Sequence, residues 1–141
     1  DYGLVAVGQI KSSKKRILLF NLLTKNKIKL ATVKSKYSLI SRLADIGEGT
    51  ITMHNCIINS GANIGVNCIL NTNCIIEHDV KIGNHCHIST GVIINGGVTI
   101  GSESFIGSGC VIREGVKVGN NVLVSAGKVV MSDIAPNTIY K

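Results

Sequence analysis

Glu77-His78-Asp79 sets an imidazole between two carboxylates, in a stretch whose other polar positions carry mostly interchangeable neutral side chains. A free imidazole titrates near ~6.5, so around neutral pH it can take a proton from an amine or hydroxyl attacking a thioester. A neighbouring carboxylate fixes its tautomer and stabilises the imidazolium that forms. Eighteen residues later stands Gly96, in Asn95-Gly96-Gly97. With no side chain it leaves room beside His78, and its exposed backbone N–H can stabilise the oxyanion of an acyl transfer. The chemistry suggested is general-base acyl transfer, with His78 as base, Asp79 as its support and Gly96 as oxyanion donor. On spacing alone a solvated surface histidine is the competing reading. What separates the two is whether the chain brings residues 18 apart into contact.

The repeat says that it does. From Ile40 to Val130 an aliphatic residue returns every six positions, in fifteen cases of sixteen, with Thr52 the exception. Four residues after each comes a second, mostly small set: Ala44, Thr50, Cys56, Ala62, Cys68, Cys74 and onward to Ile134. A period of six fits neither the 3.6 of a helix nor the 2.0 of a strand. It fits a triangular coil whose three six-residue sides make an 18-residue turn. Gly47, Gly65, Gly83, Gly101 and Gly119 recur at that interval, each after an aliphatic residue, and are expected at corners with φ > 0. The fold expected is mainly β, a parallel β-helix of about five coils and roughly 25 Å at the ~4.8 Å spacing of strands.

All five cysteines (Cys56, Cys68, Cys74, Cys86, Cys110) fall on the small inward position and none forms C-x-x-C, so they read as reduced core residues rather than metal ligands. Reduced thiols and the lack of any long apolar run fit a soluble, cytoplasmic protein. The net charge of +7 is uneven. Residues 1–39 hold nine Lys/Arg and one acid, whereas residues 40–141 hold six against seven. With few aromatics for base stacking, Lys14, Lys15 and Arg16 read as a solvated helix face and no nucleic acid is expected as partner.

In residues 1–39, Leu4-Val5-Ala6-Val7 reads as a strand, Ser12 as the cap of a helix running to about Leu23, and Ile28 to Val33 as a second strand. A lone β-α-β unit cannot cover both faces of its sheet, so it reads as the remnant of a Rossmann-like domain. Domains are therefore expected at 1–39 and 40–141. The chain opens on Asp1 without an initiator Met or a leader, which reads as a piece of a longer protein.

The stretch from Asn71 to Gly83, with Cys74-Ile75-Ile76-Glu77-His78-Asp79 at its centre, resembles the signature of the bacterial sialic-acid O-acetyltransferase and bacillosamine/perosamine N-acetyltransferase family of hexapeptide-repeat proteins. The resemblance implies a left-handed coil and an N-terminal sugar-nucleotide domain. It implies His78 as general base, Asp79 as partner and Gly96 as oxyanion donor, with His87, Asn71 and Glu77 binding substrate in the same cleft. Acetyl-CoA is the implied co-substrate, its arm facing Ser108, Ala126 and Gly127, with Lys117 or Lys128 for its phosphates. The implied activity is N-acetylation of an amino-deoxy nucleotide-sugar for surface glycan or glycoprotein sugars, or O-acetylation of a sialic-acid-like sugar. A homotrimer with active sites between subunits would supply the second wall of a cleft that one coil leaves open.

Two other classes compete. A γ-class carbonic anhydrase uses the same coil, but His54, His78, His85 and His87 lack the spacing of its three zinc ligands, so no metal is expected and His54 and His85 read as solvated. A non-catalytic structural β-helix has no use for Glu77-His78-Asp79 facing Gly96.

Overall fold

The computed structural model describes residues 2–141; Asp1, counted above for its charge and as the chain's start, lies outside the described residues. Strand β1 (Tyr2–Gly3) pairs in parallel with β2 (Lys29–Leu30), and helix α1 (Lys14–Lys25) joins them. The strands are shorter than the apolar runs suggested, because residues 4–10 leave β1 to cross the neighbouring coil and Val33 already belongs to that coil. The helix N-cap is Ser13 rather than Ser12, and it makes no side-chain cap. Its hydroxyl donates instead to Glu103 Oε2 at 2.8 Å, while Ser12 Oγ accepts from the Lys14 N–H at 3.3 Å.

From Val33 the chain winds into a three-faced parallel β-helix of two-residue strands. The first face stacks seven strands, among them Ile69–Leu70, His87–Ile88 and Phe105–Ile106. The second stacks six, including Ile57–Ile58, Ile75–Ile76 and Ile93–Ile94, and the third stacks five, including Asn63–Ile64, Lys81–Ile82 and Thr99–Ile100. Residues 18 apart are register partners throughout the central coils, for example Ile75 with Ile93 and Lys81 with Thr99. The coil makes about six turns rather than five. Its extra strands, Val33–Lys34 and Ile139–Tyr140, lie at the open ends, where one layer is missing and the aliphatic rule lapses. The last turn is also two residues short, since Val118 bridges Ile134 and Leu123 pairs with Ile139.

The prism is filled by the ladder. Ile58, Ile76, Ile94 and Ile112 are buried, as are the five cysteines, all unpaired, with Cys74 Sγ 3.5 Å from Cys56 Sγ. Burial pushes the Cys110 thiol above its ordinary value. Polar substitutes at the small position are satisfied between coils: buried Ser104 donates to Gly119 O at 3.0 Å and accepts from the Val122 N–H at 3.1 Å. Thr52, the break in the ladder, is buried with its hydroxyl unpartnered.

The periodic glycines have a different role from the one expected. Gly83 and Gly101 do not lie at positive φ; a Cβ there would sit 2.6 Å from Ser102 N and 2.5 Å from Asn120 N of the next coil, so glycine is needed for coil stacking. Positive φ falls two residues later along each side, at Asn67, Asp79, His85 and Gly97, residues able or forced to adopt the left-handed turn.

The helix unit rests on the first face through Arg16, which is fully buried rather than solvated as its basic neighbours Lys14 and Lys15 are. Its guanidinium donates to Val5 O (2.9 Å) and Val7 O (2.5 Å), and to Asn67 O (3.1 Å) and Oδ1 (2.7 Å).

Candidate active site

His78 stands at the corner between the second and third faces. Asp79 follows it at φ 60°, and its N–H bonds to Ser60 O of the preceding coil at 3.0 Å. That turn folds the carboxylate back, so that Oδ2 accepts from His78 Nδ1 at 2.9 Å. In the neutral ring this leaves Nε2 as the acceptor nitrogen. Both side chains are open to solvent, with 66% and 73% of their surface exposed, so the pair is held by local geometry rather than burial. Gly61, one coil below Asp79, makes room for the carboxylate, because a Cβ there would collide with Oδ1.

The imidazole lies over Gly96. A Cβ on Gly96 would be 2.5 Å from His78 Nε2 and 2.7 Å from Cε1. The Gly97 N–H bonds to His78 O at 2.9 Å, whereas the Gly96 N–H has no acceptor among the described residues. At the corner between the third and first faces the equivalent N–H groups of Val66, Asn84 and Ser102 are capped by side chains of the next coil at 2.8–3.0 Å. A free donor beside an unprotonated Nε2 is the minimum needed to take a proton and stabilise a developing oxyanion. Glu77, half-buried, is pinned by Asn59 Nδ2 at 2.8 Å.

His87 is elsewhere. It lies on the first face, half a coil from His78, and the corner carrying His78 is the one opposite that face, so one chain does not bring the two histidines together. His87 Nδ1 donates to Gln9 O at 2.7 Å, Nε2 faces Asn71 Nδ2 at 3.3 Å, and the ring meets Phe105 edge-on at 5.2 Å. Burial lowers its pKa, opposed by the Gln9 carbonyl and aided by Arg16. His85, read as solvated, is packed: its Nδ1 accepts from Asn67 Nδ2 at 3.0 Å, its ring meets Phe20 at 5.3 Å, and burial lowers its pKa. His54 is exposed, as expected, with Ser35 Oγ 2.7 Å from its Nδ1.

Ser108, Ala126 and Gly127 stack on a third edge, between the first and second faces, where the Gly127 N–H bonds to Ser108 O at 2.8 Å. Ser108 and Ala126 are exposed and nothing would lie within 4 Å of a Cβ on Gly127, so the edge is open to a narrow flexible chain such as a pantetheine arm. Half-buried Lys128 adjoins that edge. Lys117 does not; it is on the third face, its N–H held by Asp133 Oδ1 at 2.8 Å. A groove of about 520 Å³ between Ile10, Lys11, Leu123 and Ile139 does not include His78, which sits on an open edge.

Residues 97–132 match the model of the bacterial transferase hexapeptide (six repeats) family. Comparison with curated protein sequences finds no match. Among solved structures, the acetyltransferase domain of PglB from Neisseria gonorrhoeae FA1090 superposes with a TM-score of 0.92 at 29% identity, over 98% of this chain and 66% of that one. The chain has the left-handed β-helix fold of that acetyltransferase domain. The PglB domain has also been solved in complex with acetyl coenzyme A. A perosamine N-acetyltransferase mutant from Caulobacter crescentus, in complex with CoA and GDP-perosamine, matches this hexapeptide coil with a TM-score of 0.94 at 26% identity, over 100% of this chain and 66% of that one. WeeI from Acinetobacter baumannii AYE matches with 0.86 at 25%, over 99% and 68%. The chain thus spans just under two thirds of the first two relatives. Among the described residues no group of three or more His, Cys, Asp or Glu is placed to hold a metal, and no helix is long and apolar enough to cross a membrane.

Reading the sequence by its repeat overlooked Asn59, Gly61, Phe105 and Gln9. The first three were legible, each lying 18 residues from Glu77, Asp79 or His87. Gln9 was not, because no repeat links the helix unit to the coil.

Proposed function

We propose that the chain is the catalytic part of an acetyl-CoA-dependent N-acetyltransferase acting on an amino-deoxy nucleotide-sugar of surface glycan or glycoprotein synthesis. The observation that carries this is the stacking of His78, oriented by Asp79, over Gly96. His78 Nε2 accepts the proton of the sugar amine as the nitrogen bonds to the acyl carbon. The Gly96 N–H donates to the carbonyl oxygen as charge gathers there. The His78 imidazolium, steadied by Asp79, then returns the proton to the departing thiolate, leaving an amide and a free thiol. Acetyl-CoA, the acyl donor, would lie along the Ser108, Ala126 and Gly127 edge, with Lys128 as the phosphate candidate.

Residues 1–39 we assign to the end of a Rossmann-like sugar-nucleotide domain. We place the protein in the cytoplasm, where acetyl-CoA is made. It works as a homotrimer: the His78 corner of one copy and the His87 face of the next would form one cleft, which explains two half-sites lying half a coil apart. The perosamine N-acetyltransferase likeness favours N- over O-acetylation; O-acetylation of a sialic-acid-like sugar uses the same base and is the alternative.

The test is His78→Ala in the full-length protein with acetyl-CoA and a panel of amino and hydroxyl sugar acceptors. Turnover should fall by roughly 10²–10⁴-fold with the melting temperature unchanged, and Asp79→Asn should do less damage. Near-normal turnover in His78→Ala would place the base elsewhere.

A further inference from the structure

Gln9 lies on the loop between β1 and α1, yet it is only 6% exposed. Its backbone carbonyl accepts from His87 Nδ1 at 2.7 Å, its side-chain Nε2 donates to His85 O at 2.7 Å, and its Oε1 is buried without a partner. A carbonyl can only accept, so His87 carries its proton on Nδ1 and Nε2 is an acceptor. The other side of the ring agrees. Asn71 Oδ1 is committed to the Thr72 N–H at 2.8 Å, which turns the Asn71 NH₂ toward His87 Nε2 at a long 3.3 Å.

We propose that Gln9 is a positioning residue that locks His87 as its neutral Nδ1–H tautomer, so that His87 Nε2 and Asn71 Nδ2 together receive a substrate group presenting a neutral N–H or O–H donor beside an acceptor. The 3.3 Å contact is the weak one, and a ligand replaces it with two better bonds, donor to Nε2 and acceptor to Asn71. Two groups have this pattern: neighbouring sugar hydroxyls, and the pantetheine arm of an acyl donor, where the N–H of one amide can lie beside the carbonyl of the other, a single trans amide holding its N–H and C=O on opposite sides. A protonated His87 would present a donor instead, which repels an amide N–H and leaves a hydroxyl only its oxygen to offer. Burial of the ring disfavours that charge and outweighs the Gln9 carbonyl, which favours it, and Arg16 of α1 adds to the effect. Glu103 acts on His85, not on His87. The helix unit that carries Gln9 thereby sets the hydrogen-bonding character of a group on the coil.

The inference rests on the acetyl-transfer reading for its substrates, but its first readout does not need turnover. Nitrogen-15 NMR of full-length protein should show His87 as the Nδ1–H tautomer, still neutral below the ~6.5 at which a free imidazole charges. Adding CoA alone, or a nucleotide-sugar alone, should shift the Nε2 resonance in one arm only, which identifies the source of the group. Gln9→Ala removes the anchor on His85 and should mix the tautomers. It should raise KM for that same substrate roughly tenfold, the order expected for one lost hydrogen bond, with kcat changed less. His87→Phe, which keeps the ring packing on Phe105 and deletes the acceptor, should reproduce the KM change at an unaltered melting temperature. An Nε2–H tautomer in the unaltered protein overturns the proposal, whatever the activity. So does a His87→Phe protein with both KM values unchanged.

Discussion

Gly96→Ala isolates the stacking on which the proposed chemistry depends. The new Cβ would stand 2.5 Å from His78 Nε2, 2.7 Å from Cε1 and 3.2 Å from Cδ2. Carbon atoms rest at about 3.5–4.0 Å, so the ring must retreat by roughly 1 Å. It can do so easily, because the His78 side chain is 66% exposed and nothing but its 2.9 Å bond to Asp79 resists the swing. Gly96 is not at positive φ, so alanine adds no backbone strain. Stability should therefore change by no more than about 0.5 kcal/mol, whereas a displacement of about 1 Å at a reacting group costs on the order of 10²-fold in rate. The neighbouring glycine gives the mirror image. Gly97 sits at φ 68° with open space around its missing Cβ, so Gly97→Ala should lose about 1–2 kcal/mol of stability and leave His78 where it is. Thiol release from acetyl-CoA, followed with acceptor present and set beside thermal melts, reads both effects. Turnover within threefold of the parent in Gly96→Ala would refute the idea that His78 works from above Gly96.

Full-length protein should sediment as a trimer at micromolar concentration; a monomer that still turns over would remove the shared cleft. Arg16→Met should cost about 3 kcal/mol or more by leaving the carbonyls of Val5, Val7 and Asn67 without their donor, and it should loosen residues 2–30 before the coil in hydrogen exchange; uniform protection in the variant would show that Arg16 does not anchor the unit.

The coil was legible because each of its physical requirements repeats. An inward aliphatic every six residues, a small residue at the corner and a stacking glycine every 18 are imposed by the same prism at every level, so sixteen weak signals add. His78 over Gly96 follows from that register by counting, and Ile75 pairing with Ile93 shows that the count holds there. The glycines were placed correctly and explained wrongly, since sequence cannot separate a residue excluded by its own φ from one excluded by the coil above it. Asn67 and Asp79 carry the positive φ instead, and their type disguised them as ordinary polar residues. The ends escaped the repeat for a related reason: Lys34 and Tyr140 have neighbours on one side only, so nothing obliges them to be aliphatic.

What no periodicity could reveal is contact between unlike parts. Arg16 looks like one more charge in Lys14-Lys15-Arg16, and only its bonds to Val5, Val7 and Asn67 distinguish it from its solvated neighbours. Gln9 likewise gains its meaning from His85 and His87, more than seventy residues away. The same reasoning applies to the second histidine. His78 and His87 differ by nine positions, half of an 18-residue turn, and on a three-sided prism half a turn leads from a corner to the opposite face. A cleft using both must therefore join two copies of the coil, and the arithmetic that made His78 legible is also the argument for a shared site.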